Sequence, residues 1–340
     1  MKKAVEKSDY GVCLARLTGT LLIIGCHIAQ FFGSELAWWL NCGVTLFLCL
    51  SGFLYGQKEI SDGYIFIRKR FVRILKEYYV CVAITLWIYL LFAVDCVNIK
   101  GILDLIFCNG TIAGLGHLWF IGTILFCNLL TPFFSRLLDD CYQKRGIGYI
   151  GSFCLLILLH IIMVRFIPHF GADHVVCYFL GFTVGRIKKT EEGGAKKICI
   201  AIISLCFIMN SIRIYINYFT NFEFSSGLLT AGYRWFCNYA HVMLGSTVFI
   251  VTYAVGNWIK ITPLCSRILK LANEYSFDVY LAHNMWLNTS PVCIWNLSIT
   301  FLSKVLLIVV MILSESVLIH WISGKLRIKK RNDKNYGPIG

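Results

Sequence analysis

The sequence predicts an all-α integral membrane protein whose chain crosses the bilayer about ten times. Hydrophobic residues make up 58% of its 340 positions, charged residues make up 15%, and the mean hydropathy is +0.70. Soluble domains carry roughly 45–50% apolar and about 25% charged residues. Charged side chains are therefore too few to cover a water-soluble globule of this length, and a lipid bilayer is the expected partner of its surface.

Apolar stretches of about 20 residues predict the membrane spans, because one helix of that length crosses the hydrocarbon core. They cover residues 11–32, 37–57, 77–97, 118–136, 147–166, 173–187, 196–214, 236–257, 275–295 and 300–323. The sixth stretch is short, and the ninth is polar for a membrane span. The first follows Lys2, Lys3 and Lys7, as the apolar part of a signal peptide would. Its length and the lack of a small-x-small cleavage site favour a retained helix.

The linkers between these spans alternate in charge. Lysine and arginine are concentrated in residues 58–76, 137–146, 186–197, 258–274 and the tail 324–340, and they are nearly absent from 98–117, 167–172, 215–235 and 296–299. Because basic loops stay in the cytoplasm, the alternation predicts a multi-pass protein of the cell membrane with both termini cytoplasmic. The formal net charge of +14 then fits anionic lipids and phosphorylated cofactors, and no nucleic-acid partner is expected.

Cysteine and glycine patterns indicate packing rather than chemistry. Most of the 16 cysteines lie in apolar runs, where cysteine behaves as a small hydrophobe. No C-x-x-C pair or clustered His/Cys spacing occurs, so no metal site is expected. Gly52/Gly56 and Gly181/Gly185 predict close helix packing. No linker can hold a second domain, so residues 1–340 are expected to form one membrane domain.

Ionisable side chains inside the spans are candidates for function, because their burial in lipid is costly. His27 lies deep in the first span, eleven positions after Arg16. Eleven helical steps return to nearly the same face, about 16 Å along the axis. One face of one helix would thus carry a cation near the membrane surface and an imidazole well inside it. The alternative is a snorkelling arginine and a histidine bonded to a neighbouring helix.

Three arginines follow the second span, at positions 68, 70 and 73. Arg70 and Arg73 face the same way if the segment is helical. Guanidinium groups bind phosphate in bidentate fashion, so this pair is a candidate phosphate site. The alternative is the ordinary positive charge of a cytoplasmic loop.

Other polar residues stand at or inside later spans. His117 and Trp119 open the fourth span, where they belong to an interfacial aromatic belt or hold a sugar ring. Glu315 in the tenth span needs a partner that the sequence does not name. The polar ninth span must face a protein interior or a cavity; its polar residues are Ser276, Asp278, Tyr280, His283 and Asn284.

In order, spacing and sidedness these motifs resemble the membrane acyltransferase family 3, whose bacterial members acylate surface polysaccharides and lipopolysaccharide. The resemblance covers nearly the whole chain and rests on Arg16-x10-His27, Ser51-Gly52-Phe53, Arg70-x-x-Arg73, His117-x-Trp119-Phe120 and Tyr280-Leu281-x-His283. The chain departs from many relatives at Lys76, where they have proline, and in a diluted aromatic run before Ser51. Some relatives also carry a C-terminal esterase-like domain, which is not expected here.

The resemblance implies an enzyme that transfers an acyl group, by family frequency acetyl, from cytoplasmic acyl-CoA to a hydroxyl of a cell-envelope or exported polysaccharide. His27 and Arg16 would be catalytic, with His27 as general base; Arg68, Arg70 and Arg73 would bind the donor. The acceptor and other substrate contacts would come from Ser51, His117, Trp119, Tyr280 and His283. Glu315 would be structural or would orient a catalytic group.

Two other classes remain open on the sequence alone. A transporter also has polar spans, although no inverted repeat or matching pair of broken helices is visible. An envelope assembly protein without chemistry is the second alternative. No Gly-x-Ser-x-Gly motif occurs, so direct transfer is the simplest enzymatic route, and an acyl-histidine intermediate stays possible. The sequence names neither the oligomeric state nor the individual sugar.

Overall fold

The computed structural model describes residues 9–145, 148–220, 226–288 and 290–326, and within them it contains helices and no strands. The predicted all-α class is confirmed. The predicted basic tail 324–340 lies almost entirely outside the described residues. The helices are α1 (Tyr10–Phe31), α2 (Leu36–Leu40), α3 (Cys42–Gly56), α4 (Gly63–Phe92), α5 (Ile99–Ile106), α6 (Trp119–Arg145), α7 (Gly148–Phe166), α8 (Ala172–Thr190), α9 (Glu192–Ile214), α10 (Gly227–Trp258), α11 (Pro263–Leu287) and α12 (Phe301–Lys325).

Eight helical segments in the described residues are long and apolar enough to cross a membrane. They are α1, the combined α2–α3 segment, α4, α6, α7, α9, α10 and α12. A helix also stands at each of the two remaining predicted spans. These are α8 and α11, the predicted sixth and ninth spans, which have 19 and 25 residues but are too polar to qualify. A multi-pass membrane protein is therefore supported, and ten crossings remain a prediction.

Four predicted linkers, 58–76, 137–146, 186–197 and 258–274, are largely helical in the described residues, which corrects the predicted span boundaries. Helix α4 begins at Gly63, where the Asp62 side chain accepts a hydrogen bond from the backbone N–H of Ile65 (2.9 Å). Helix α11 begins at Pro263 after the Thr262 cap and ends at Leu287, eight residues before the predicted end of span nine. These capping signals outweigh hydropathy at the helix starts. At 30 residues α4 is about 45 Å long and exceeds a hydrocarbon core of about 30 Å.

The two glycine pairs face each other across the α3–α8 contact, which confirms their predicted role in close packing. A Cβ atom built on Gly52 meets the backbone carbonyl of Tyr178, and one built on Gly181 meets that of Cys49. Gly56 and Gly185 make equivalent contacts with backbone carbonyls of the facing helix. Only hydrogen fits at these four positions, so the two backbones lie side by side without intervening side chains.

Helices α1 and α11 run parallel and in register. Arg16 Nη1 donates to Asn273 Oδ1 (3.0 Å) in the first half of both helices. Near their ends the His27 and His283 rings lie 5.1 Å apart. The polar face of α11, the predicted ninth span, therefore packs along α1, the helix that carries Arg16 and His27.

Basic residues from several predicted linkers gather at the end of the bundle where α1 and α11 begin, here called the basic end. Lys270 of α11 lies 6.0 Å from the Tyr10 ring centroid. Lys189 at the end of α8 donates to Glu59 (2.7 Å), and this hydrogen bond lowers the pKa of the Glu59 carboxyl. The alternation of charge in the sequence thus corresponds to a real asymmetry between the two ends of the bundle.

Candidate active site

Three histidines from distant parts of the chain meet inside the bundle. The ring centroid of His283 lies 5.1 Å from that of His27 and 4.9 Å from that of His117, and His27 and His117 are 6.2 Å apart. His117 and His283 are buried, and His27 is half-buried. Three residues that the sequence marked separately, one as base and two as substrate contacts, therefore form one cluster.

The hydrogen bonds of the cluster assign a tautomer to each ring. His27 Nδ1 lies 2.7 Å from Oε1 of Gln30, His283 Nδ1 lies 2.7 Å from the carbonyl oxygen of Tyr280, and His117 Nε2 lies 3.1 Å from that of Leu281. All three oxygens are acceptors, so each of these nitrogens carries the proton. The opposite nitrogen of each neutral ring keeps its lone pair. For His27 that nitrogen is Nε2, the atom available as a base.

The loop before α6 is tied to α11, and this positions His117. The Tyr280 hydroxyl donates to the carbonyl of His117 (2.6 Å), and the Asn284 side chain donates to the carbonyl of Gly114 (3.0 Å). Gly114 has a φ of 79°, a conformation that glycine adopts without strain. The polarity of the predicted ninth span thus serves in part to hold this loop against the helix.

A cavity of about 710 Å³ enters the bundle between α1, α3, α4, α6, α11 and α12. Five residues predicted for catalysis, donor binding or substrate contact line it together: Arg16, Ser51, Arg70, Arg73 and Tyr280. The lining runs along α11 from Lys270 to Tyr280, a distance of about 15 Å at the helical rise. The cavity therefore leads from the basic end of the bundle toward its middle.

Tyr280 stands between this cavity and the histidine cluster. Its ring lies 5.5 Å from that of His117 and 5.7 Å from that of His283, and it packs against Phe120 at 5.2 Å. Phe120 and Tyr280 both line the cavity, and none of the three histidines does. The inner end of the cavity and the histidine cluster are thus neighbours that share the wall formed by Tyr280.

The three arginines of α4 have different surroundings. Arg70 packs its guanidinium over the Tyr55 ring (4.6 Å), and its buried Nε has no hydrogen-bond partner. Arg73 also faces the cavity, as the spacing of three predicts. Arg68 is exposed and is not part of the lining. The structure therefore separates Arg68 from the pair Arg70 and Arg73.

An acidic–histidine group at the cavity wall joins Asp278, which the sequence marked as a polar residue of the ninth span, to Glu274 and His320, which it did not mark. His320 of α12 lies 2.9 Å from Asp278 Oδ2 through Nδ1 and 3.6 Å from Glu274 Oε1 through Nε2. His320 and Glu274 line the cavity. The signal was present, because His320 is an ionisable residue within an apolar span, five positions after Glu315.

Glu315 has a partner that the sequence could not name. Its buried Oε2 accepts a hydrogen bond from the indole N–H of Trp286 (2.7 Å), which joins α12 to α11. Neither Glu315 nor Trp286 lines the cavity. This geometry agrees with the structural role expected for Glu315.

Trp119 lies apart from the cluster that contains His117. Its ring packs against His174 of α8 (4.9 Å) and is 37% exposed. His117, in the 3₁₀ turn Gly116–Leu118, is buried instead and lies beside Tyr280 and His283. The two residues of one sequence motif thus face different surroundings.

In the described residues no group of three or more His, Cys, Asp or Glu side chains is placed to hold a metal ion.

A family model described as an acyltransferase domain matches residues 9–321, a range that contains the cavity and the three histidines. No curated protein and no solved structure matches the chain significantly. The chain belongs to the acyltransferase family 3.

Proposed function

We propose that the protein is a membrane-embedded O-acyltransferase that moves an acyl group, in the simplest case acetyl, from acyl-CoA to a hydroxyl of a cell-envelope or exported polysaccharide. The observation that carries the proposal is the cavity lined by Arg16, Arg70 and Arg73, whose inner end adjoins the histidine cluster. A transporter needs no such pairing of an arginine-lined cavity with a histidine cluster.

The donor would enter at the basic end of the bundle, which the positive-inside rule assigns to the cytoplasm, with both termini on that side. Arg70 and Arg73 would bind the CoA phosphates through charge-assisted hydrogen bonds. The unpartnered Nε of Arg70 supports this role, because a buried donor without a partner is costly. The pantetheine arm would then run past Arg16 and Ser51 toward Tyr280.

The chemistry follows from the tautomer of His27. Its Nε2 lone pair would take the proton of the acceptor hydroxyl as that oxygen bonds to the thioester carbonyl carbon. The carbon–sulfur bond then breaks, and the sulfur takes the proton back from the imidazolium. The products are the O-acyl sugar and CoA thiol, and no oxidant, metal or water enters the balance. Gln30 would keep Nδ1 protonated and Nε2 basic throughout.

The proposal is tested by purified protein in lipid nanodiscs supplied with acetyl-CoA that is labelled in the acetyl group. Release of CoA thiol and transfer of label to envelope glycans are the expected results. Comparison of glycan masses between cells with and without the protein identifies the acceptor. If no thiol is released and a reconstituted vesicle moves an unmodified solute instead, the protein is a transporter and the proposal is wrong.

A further inference from the structure

Four aromatic side chains gather where α1 ends, opposite to the basic end. The Trp295 ring lies 6.1 Å from Phe31, 5.4 Å from Phe32 and 5.7 Å from Phe301, measured between centroids. Phe31 and Phe32 close α1, Trp295 stands in the 3₁₀ turn Ile294–Asn296, and Phe301 opens α12. We call these four residues the aromatic platform. None of the four belongs to a sequence motif described above.

The platform differs from an ordinary interfacial belt in the state of its tryptophan. Phe32 and Phe301 are 57% and 67% exposed, whereas Trp295 is 8% exposed and its buried indole N–H has no hydrogen-bond partner. A belt tryptophan points its N–H toward water or headgroups, and a buried one normally finds an acceptor. The Trp295 N–H is therefore a hydrogen-bond donor that no described protein acceptor satisfies, and it lies beside two exposed rings.

Amide side chains connect the platform to the proposed base. Gln30, next to Phe31 in the chain, accepts hydrogen bonds at Oε1 from His27 (2.7 Å) and from Asn288 Nδ2 (3.2 Å). Gln30 is exposed and Asn288 is half-buried. The platform therefore lies about one helical turn beyond His27, on the side away from the donor cavity.

We propose that the aromatic platform, with Gln30 and Asn288, is the subsite for the sugar ring of the acceptor. Binding sites for small polar molecules combine aromatic walls with a few polar groups that set orientation, and this site has both. A pyranose ring packed on the exposed Phe32 ring beside Trp295 would present a hydroxyl toward His27, and its ring oxygen would accept the indole N–H once the Trp295 ring turns toward it. The inference rests on the proposed acyl transfer and replaces Trp119 with Trp295 as the sugar-contacting tryptophan.

The test uses protein in nanodiscs with acetyl-CoA and methyl glycopyranosides of glucose, galactose, mannose and N-acetylglucosamine, and methanol as an alcohol without a ring. Two quantities are measured: acetylated glycoside by mass spectrometry, and thiol release with water as acceptor. We expect Trp295→Ala to raise the KM for the best glycoside at least tenfold, with methanol acylation and thiol release in water unchanged. Trp295→Phe keeps the ring without the N–H and should fall between.

Trp87→Ala is the matched control, because this tryptophan of α4 is 66% exposed and lies outside the cavity lining. Trp119→Ala tests the tryptophan that the sequence predicted for the sugar, which packs on His174. Phe32→Ala, at an exposed position, provides the test should Trp295→Ala fail to fold. The subsite is wrong if Trp119→Ala weakens glycoside use and Trp295→Ala or Phe32→Ala does not, or if glycosides and methanol are affected alike. Thiol release by the wild type with no glycoside acylated would also reject the sugar subsite but keep the donor chemistry. No thiol release at all would remove both proposals.

Discussion

The imidazole rings of His27 and His283 lie 5.1 Å apart, although 256 positions separate the two residues in the chain. The parallel packing of α1 and α11 brings them together, with Arg16 and Asn273 paired about 16 Å nearer the basic end. The surroundings of the proposed base are thus built by helices from the two ends of the sequence. The predictions below test the roles that follow from this arrangement.

His27→Ala should abolish acyl transfer while acyl-CoA binding and membrane insertion persist, because the variant loses the imidazole that takes the hydroxyl proton but keeps the arginines proposed to bind the donor. Product formation and donor binding are measured on the same purified protein. His160→Ala is the control, since this histidine also lies in a candidate span but bonds to Tyr239 (2.7 Å), away from the cluster. Transfer at nearly the wild-type rate by His27→Ala would rule out the base.

Arg70→Ala and Arg73→Ala should each raise the KM for acyl-CoA by about ten- to a hundredfold, since each loses a charge-assisted phosphate bond of about 1.5–3 kcal/mol. Lysine at either position should restore binding only in part. Arg68→Ala supplies the control on the same helix, because Arg68 is exposed outside the cavity. Equal effects of all three variants would show that only the net charge of the segment matters.

Glu315→Gln should express well and keep activity, because the amide oxygen still accepts the Trp286 N–H. Glu315→Leu should lower stability by about 1–3 kcal/mol, since the buried indole N–H then has no acceptor. Thermal unfolding in detergent and acyl transfer are measured for both variants. A folded but inactive Glu315→Gln protein would instead assign the carboxylate to catalysis.

Gly185→Ala should destabilise the fold by about 1–3 kcal/mol, because its Cβ meets the backbone carbonyl of Phe53 and overpacking has that cost. Gly232→Ala, within α10, meets no atom within 4 Å and should be neutral or gain about 0.5–1 kcal/mol in helix stability. The measurement is the unfolding temperature of each variant, compared with that of the wild type. If they are equal, the α3–α8 contact does not limit stability.

Reporter fusions at Lys69 and Lys325 should read as cytoplasmic, and a fusion at Asn109 as external. The reason is that the cytoplasmic loops of membrane proteins are rich in lysine and arginine, and the basic loops of this protein gather at the basic end of the bundle. Enzymatic reporters that are active on one side only distinguish the two outcomes. An external Lys69 would invert the proposed direction of donor entry.

The sequence predicted the parts of the site better than their arrangement. Helical periodicity places Arg16 and His27 on one face, and the structure agrees. Periodicity within one helix does not reveal which helices pack together, so His117 and His283 were assigned to substrate rather than to the cluster with His27. His320 is not among the sequence-based candidates because it lies in an apolar run. Its position inside a span was nevertheless a signal, since burying an ionisable side chain in the membrane costs free energy.

Helix boundaries were the weakest sequence-based result, for an identifiable reason. Hydropathy measures lipid preference, whereas Asp62 and Thr262 fix helix starts by capping N–H groups in polar segments. The predicted ninth span extends to residue 295, so it includes Trp295 in a helix. Its true position, in the turn between α11 and α12, is what allows it to face Phe32.

The glycine contact between α3 and α8 also decides which side of the cavity is able to move. Ser51 precedes Gly52, so this part of the lining is fixed by backbone packed directly on backbone. Two helices in such contact have no side-chain layer to rearrange. We therefore expect α4, α11 and α12 to move when the cavity widens to admit a donor or to let its acyl group pass Tyr280. Helix α3 should keep its position, so the cavity would open from one side only.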